Sequence, residues 1–124
     1  MADLTDYAKN LLGRALCARL PALPTQVFLA LGTGGSDATG LTGEPTGNGY
    51  ARQRVTFSGT GAQQNTDAIR FTFTGPIGTV THVGLYDAAS GGNPLTWGPL
   101  SQTLSVPGAG TVTINPAGYT LTPN

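Results

Sequence analysis

Two stretches decide the fold class: Gly47-Asn-Gly-Tyr-Ala-Arg-Gln-Arg-Val-Thr-Phe57 and Gly78-Thr-Val-Thr-His-Val-Gly-Leu-Tyr-Asp-Ala-Ala-Ser-Gly-Gly-Asn-Pro-Leu-Thr-Trp-Gly-Pro-Leu100. Each couples a run rich in β-branched and aromatic residues to a glycine-rich turn. Ser90-Gly-Gly-Asn-Pro94 is the strongest turn signal in the chain. Outward from these stretches the same pattern recurs. Thr25–Leu31 is apolar on both faces, the mark of a strand buried on both sides. In Ala68–Thr74, Ile69, Phe71 and Phe73 lie on one face and Arg70, Thr72 and Thr74 on the other. Further strands are expected at Tyr50–Ser58, Thr79–Tyr86, Leu95–Trp97, Leu100–Val106, Thr111–Asn115 and Tyr119–Leu121. Gly32–Gly49 is a long Gly/Thr/Ser/Pro loop, read as functional or draped on a neighbour.

Only the N-terminus has helical periodicity. Leu4, Tyr7, Ala8, Leu11, Leu12, Ala15, Leu16 and Leu20 fall on one stripe. Asp3 is the expected N-cap, Arg14 and Arg19 suit the C-terminal end of the dipole, and Pro21 and Pro24 stop the helix. The expected fold is therefore mainly β: an antiparallel β-sandwich or jelly roll of about eight short strands with one N-terminal amphipathic helix. Residues 1–21 form the helix, packed on or near the domain, and 22–124 a single β domain.

Composition narrows the function. Lysine plus arginine equals aspartate plus glutamate, six each, so bulk charge favours neither nucleic acid nor membrane. Charged residues are 10% of the chain, against about 25% in an average domain. None follows Asp87. A neutral surface rich in Thr and Gly suits a protein docked in a larger assembly, the alternative being a merely polar β domain. No apolar run approaches the ~20 residues of a membrane span. The acidic start, Asp3 and Asp6, is unlike a secretory signal, and the mature chain is expected to begin near Met1.

The opening stretches, with Leu4-Thr-Asp-Tyr-Ala-Lys-Asn-Leu-Leu12 and Pro24-Thr-Gln-Val-Phe-Leu-Ala-Leu31, resemble a family of small tailed-phage virion proteins often labelled "tail fibre protein". The resemblance covers most of the chain and implies a structural virion part rather than an enzyme. No catalytic, cofactor or ligand residue carries over from it. Its matched positions are architectural: Gly47 and Gly49 turn the chain into a strand, and Gly91-Gly92-Asn93 form a hairpin. This chain departs from the family pattern in being richer in proline, notably at Pro21, Pro24 and Pro94.

The residues themselves say little for catalysis. His82 is the sole histidine and Cys17 the sole cysteine, which leaves no zinc set or disulfide. The acids are scattered, with no calcium loop or glycosidase pair. There is no Gly-x-Ser-x-Gly elbow or phosphate-binding loop. His82 is read as a strand histidine bonded to a neighbour, sharing a face with Val80, Gly84 and Tyr86. No catalytic, cofactor-binding or metal residue is assigned, and no cofactor is expected.

Tyr50, Arg52 and Arg54 are the most pointed polar group, placed by strand periodicity on one face with Thr56. They read either as an interface, where Arg and Tyr are enriched, or as a solvated face paired with Asp67 or Asp87. Leu11 and Leu12 are candidates for docking the helix on the domain or on a neighbour. Trp97 is either a core plug or, with Tyr86 and Tyr119, a platform for sugar rings. Phe28, Phe57, Phe71 and Phe73 are expected in the core. The favoured function is a capsid decoration (cement) protein on the outer head, assembled in the host cytoplasm. It would contact the major capsid protein and itself, as a homotrimer suited to capsid threefold positions. The alternative is a tail fibre or adhesin-type module binding a host-surface receptor or glycan.

Overall fold

The computed structural model describes residues 3–114 and 120–121. It is built mainly of antiparallel strands with one short helix near the N-terminus. The strands are more numerous than the sequence predicts, because segments read as helix start, loop and turn also pair, and the expected 50–58 run is divided by a change of sheet.

The chain starts as strand β1 (Asp3–Leu4), paired with Thr96 and Trp97. Asp3 is therefore not the N-cap: the backbone is committed to a sheet until Thr5. The Thr5 hydroxyl caps helix α1 (Asp6–Leu16) by accepting from Ala8 N at 3.2 Å. The same hydroxyl lies 2.6 Å from the Pro94 carbonyl, which ties the cap to the sheet. The helix also ends earlier than the prolines require. Arg19 N donates to Arg14 O at 2.8 Å and Ala18 has φ 59°. That is a Schellman-type ending with alanine in the left-handed position where glycine is usual.

The large sheet has the order β1-β10-β9-β2-β5, with β2 at Val27–Gly32, β5 at Gln53–Val55, β9 at Gly78–Tyr86 and β10 at Pro94–Val106. Strand β2 is interior, paired with β9 on one side and β5 on the other. Leu29, Ala30 and Leu31 are fully buried, as its continuous apolar run predicts. Strand β10 is longer than expected, because the chain continues through Gly98-Pro99 instead of breaking there. Pro99 still pairs with His82, but the next paired residue is Leu104, opposite Val80. The extra residues form an irregularity of the kind that accommodates a proline within a ladder. Val80 and Val83 both reach the core, so Val80 does not share the face of His82, Gly84 and Tyr86.

One face of this sheet carries the main core. Leu29, Leu31, Val55, Val83 and Leu85 meet Ile69, Phe71 and Phe73 of β8 (Ile69–Phe73), which pairs with β11 (Gly110–Ile114). A third ladder joins β6 (Phe57–Ser58), β7 (Gln63–Asn65) and β12 (Thr120–Leu121). The expected single strand at 50–58 is thus divided, with Thr56 the point where the chain passes from β5 to β6. Phe71 and Phe73 are buried, Phe57 packs against the core from outside, and Phe28 is half-buried.

The opposite face is covered by the long loop. It folds as a hairpin, β3 (Gly34–Ser36) with β4 (Gly40–Thr42), and packs on its own sheet. Its Leu41 packs with Ala30 and Tyr86, and Trp97 closes the cluster. Glycines permit this approach: a Cβ on Gly35 would stand 2.8 Å from the Trp97 ring.

Candidate functional site

Tyr50, Arg52 and Trp97, singled out in the sequence, fall into two clusters that hold the hairpin to the sheet. In the first, Glu44 follows β4 and Arg52 precedes β5. The turn Gly47-Asn48-Gly49, all at positive φ, folds one back toward the other. Arg52 grips Glu44 with two bonds, Nε to Oε2 at 2.8 Å and Nη2 to Oε1 at 2.9 Å. Its Nη1 donates to the carbonyls of Ala88 and Gly91 at 3.0 and 2.8 Å. The guanidinium carbon lies 3.9 Å above the Tyr86 ring centroid. Tyr50 donates to Glu44 at 2.7 Å and accepts from Leu31 N at 3.0 Å, and its ring stacks on Phe71. Tyr86 accepts from Leu41 N at 3.2 Å.

The electrostatics follow from this packing. Burial works to raise the Glu44 pKa, but bonds from Arg52 and Tyr50 outweigh it and hold the carboxyl below its usual range. The Glu44 bonds raise Arg52 further. Burial raises both tyrosines, and the Glu44 carboxylate adds to the effect at Tyr50. All groups are thus fixed in one protonation state near neutrality, a bracing cluster rather than a proton-transfer device. Part of it lines a shallow cleft with Pro45, Ser90 and Gly91.

The second cluster centres on Asp37, in the turn of the hairpin. Trp97 Nε1 donates to Asp37 Oδ1 at 2.7 Å, and Lys9 donates to Oδ2 at 3.1 Å. The Trp97 bond, then Lys9, lowers the Asp37 pKa. The Asp37 carbonyl accepts from Asp6 N at 2.8 Å, so the hairpin tip also serves the helix N-terminus. Trp97 faces His82, with ring centroids 6.3 Å apart, and His82 Nδ1 is 2.8 Å from the Thr81 hydroxyl.

The structure separates the predicted residues. Tyr50 and Arg52 join the bracing cluster, whereas Arg54 is exposed on β5, opposite Phe28. Asp87 bonds Asn93 across its own turn, not an arginine. Trp97 is half-buried in the hairpin's apolar cluster, Tyr86 is buried, and Tyr119 lies outside the described residues. Leu11 is buried against the domain, but Leu12 is 42% exposed. Glu44 and Asp37 were not singled out as site residues by sequence. The available signal is that they are the only two charged residues in the glycine-rich stretch Gly32–Gly49. Among the described residues no group of three or more His, Cys, Asp or Glu side chains is assembled that could hold a metal ion.

No curated protein matches the chain. A family profile described as Podophage GP4 fiber I protein gp80 matches residues 3–122, nearly the full length. The chain belongs to this phage fibre protein family, and with it to the structural components of the virion.

Proposed function

We propose that the protein is a non-enzymatic building block of a podophage tail fibre, a rigid joint rather than a receptor-reading tip. One observation carries this reading beyond the family match. The polar and aromatic side chains best suited to grip a ligand are engaged inside the fold. Arg52, Glu44 and Tyr50 bind one another, Tyr86 lies under Arg52, and Trp97 is bonded to Asp37. A glycan platform needs open aromatic faces and free hydrogen-bonding groups. This cluster instead spends both on holding the hairpin and the Ala88–Gly91 turn in place.

Capsid decoration is the second reading. It is favoured by a single small domain without a fibrous repeat and by the charge-free sequence beyond Asp87. Many identical weak contacts could then strengthen a shell. Copy number separates the two. Quantifying the chain against the major capsid protein in purified virions should give at most one copy per several dozen capsid subunits. Particles lacking it should keep normal heat resistance and fail to adsorb. Hundreds of copies per particle, retained in about 1 M salt where the Debye length is ~3 Å, with heat-sensitive heads in the deletion, would reverse the assignment.

A further inference from the structure

We infer that Asn48 is a site of spontaneous modification, converting to aspartate or isoaspartate through a cyclic imide formed with Gly49, and that the fold guards it. The reactive pair lies in the turn that leads into the Arg52 brace.

Within this sequence Asn48 alone is followed by glycine. Asn93 and Asn115 precede proline, whose nitrogen has no proton to give up. Asn10 and Asn65 precede Leu11 and Thr66, whose side chains crowd the backbone nitrogen where glycine leaves it open. In the reaction, the backbone nitrogen of Gly49 attacks Asn48 Cγ. The N–Cγ bond forms and the Gly49 proton passes to hydroxide or a buffer base. The Cγ–Nδ2 bond breaks, and the amide nitrogen takes up a proton and leaves as ammonia. Water then opens the ring. Addition at Cγ gives aspartate. Addition at the former backbone carbonyl gives isoaspartate, with the main chain rerouted through Cβ and Cγ.

The turn needs both residues. Asn48 and Gly49 have φ 53° and 79°, and Tyr50 N donates to Gly47 O at 3.0 Å. Two central residues at positive φ make a type I′ turn, for which Asn-Gly is a preferred pair. Gly49 is also fixed by space, since a Cβ there would stand 3.1 Å from both Thr72 O and Thr74 N. The residue that leaves its nitrogen open to attack is therefore one the turn cannot exchange.

The same packing restrains the reaction. Asn48 is exposed, so water and base reach it. Its Nδ2 donates to Pro76 O at 2.6 Å, and its carbonyl accepts from Thr74 N at 2.8 Å. Closing the ring swings the carboxamide onto Gly49 N and turns the Asn48 carbonyl, which disrupts both bonds. Conversion thus waits on local opening of the turn. Its products loosen what the turn positions. Aspartate offers Pro76 O no donor, and isoaspartate lengthens the main chain by a methylene within the Gly47–Tyr50 closure. Tyr50 and Arg52, which bind Glu44, lie directly beyond.

The test incubates the full chain in mildly alkaline buffer, folded and in guanidinium chloride, and follows each asparagine by peptide mapping. The formal net charge is zero, so converted molecules, with an added negative charge, can be isolated by ion exchange. Asn48 should convert ahead of Asn10, Asn65, Asn93 and Asn115 in both conditions, and at least about tenfold more slowly in the folded chain. The isolated converted fraction should unfold at a lower urea concentration than the unconverted one. Asn48→Gly keeps the positive φ and should remain neutral over the same period. Conversion led by another asparagine, no conversion of Asn48 in guanidinium chloride, equal rates in the two conditions, an unchanged urea midpoint for the converted fraction, or acidification of Asn48→Gly at the wild-type rate would each overturn the proposal.

Discussion

Arg52→Ala is the sharpest perturbation of the fold. The Arg52 side chain is only 8% exposed and makes four hydrogen bonds while covering the Tyr86 ring. Its removal leaves the Glu44 carboxylate with Tyr50 as its remaining donor and frees the Ala88 and Gly91 carbonyls. Breaking a buried ion pair by deleting one partner costs about 3–5 kcal/mol. The Glu44 side chain is 28% exposed, so water can recover part of that, and about 2–4 kcal/mol is expected. With a urea slope of roughly 2 kcal/mol/M, the unfolding midpoint should fall by about 1–2 M. Arg52→Lys should recover little, because an ammonium cannot make the paired contact. A double-mutant cycle with Glu44→Gln should show a coupling of about 1.5–3 kcal/mol. If Arg52→Ala unfolds within about 0.5 kcal/mol of wild type and loses only assembly into particles, Arg52 is an interface residue and the bracing role is wrong.

Three further outcomes follow from the same geometry. The Glu44 pKa is depressed in the fold, so its contribution is complete above the unfolded value of about 4.3 and lost as pH falls through the lower folded value. Urea titrations between about pH 6 and 3 should show wild type weakening on acidification and Glu44→Gln weakening less steeply. Ala18→Gly should raise stability by about 0.5–1 kcal/mol, because it relieves a left-handed alanine at the helix end; an unchanged or lower melting temperature would contradict that ending. Trp97→Phe keeps an aromatic ring but loses the bond to Asp37, and should cost about 1 kcal/mol, read from the same denaturation curves.

The parts of this fold set by short-range pattern were legible in the sequence. The period-two alternation at Ile69, Phe71 and Phe73 placed β8 and its buried face. The unbroken apolar run Val27–Leu31 announced a strand buried on both sides. The boundaries that were missed depend on partners distant in sequence. Helix α1 cannot start at Asp3, because Asp3 and Leu4 pair with Trp97 and Thr96, more than ninety residues on. Nor does local periodicity reveal that β10 passes Pro99 unbroken, since the continuity depends on β9 holding its register. The leucine stripe was read correctly as amphipathic but too long. The left-handed turn at Ala18 takes Leu20 off the helix axis, and Leu16 points where the domain has no surface to meet it.

The polar site was half legible for a related reason. Strand periodicity alone puts Tyr50, Arg52 and Arg54 on one solvent face. Only Gln53–Val55 is strand, however, and Arg52 lies just before it, where the chain is still turning. Its side chain is free to fold back over Tyr86 and meet Glu44, while Arg54, held in the ladder, remains in solvent. What decides between bracing and recognition is whether the loop brings its own counter-charge. Gly32–Gly49 contains two acids, Asp37 and Glu44. Each is matched to a cation and an aromatic donor of the body: Lys9 and Trp97 for one, Arg52 and Tyr50 for the other. A loop so sparsely charged, yet with both charges satisfied internally, gains rigidity at the cost of ligand-binding capacity. That exchange is what the proposed role as a rigid structural joint would require.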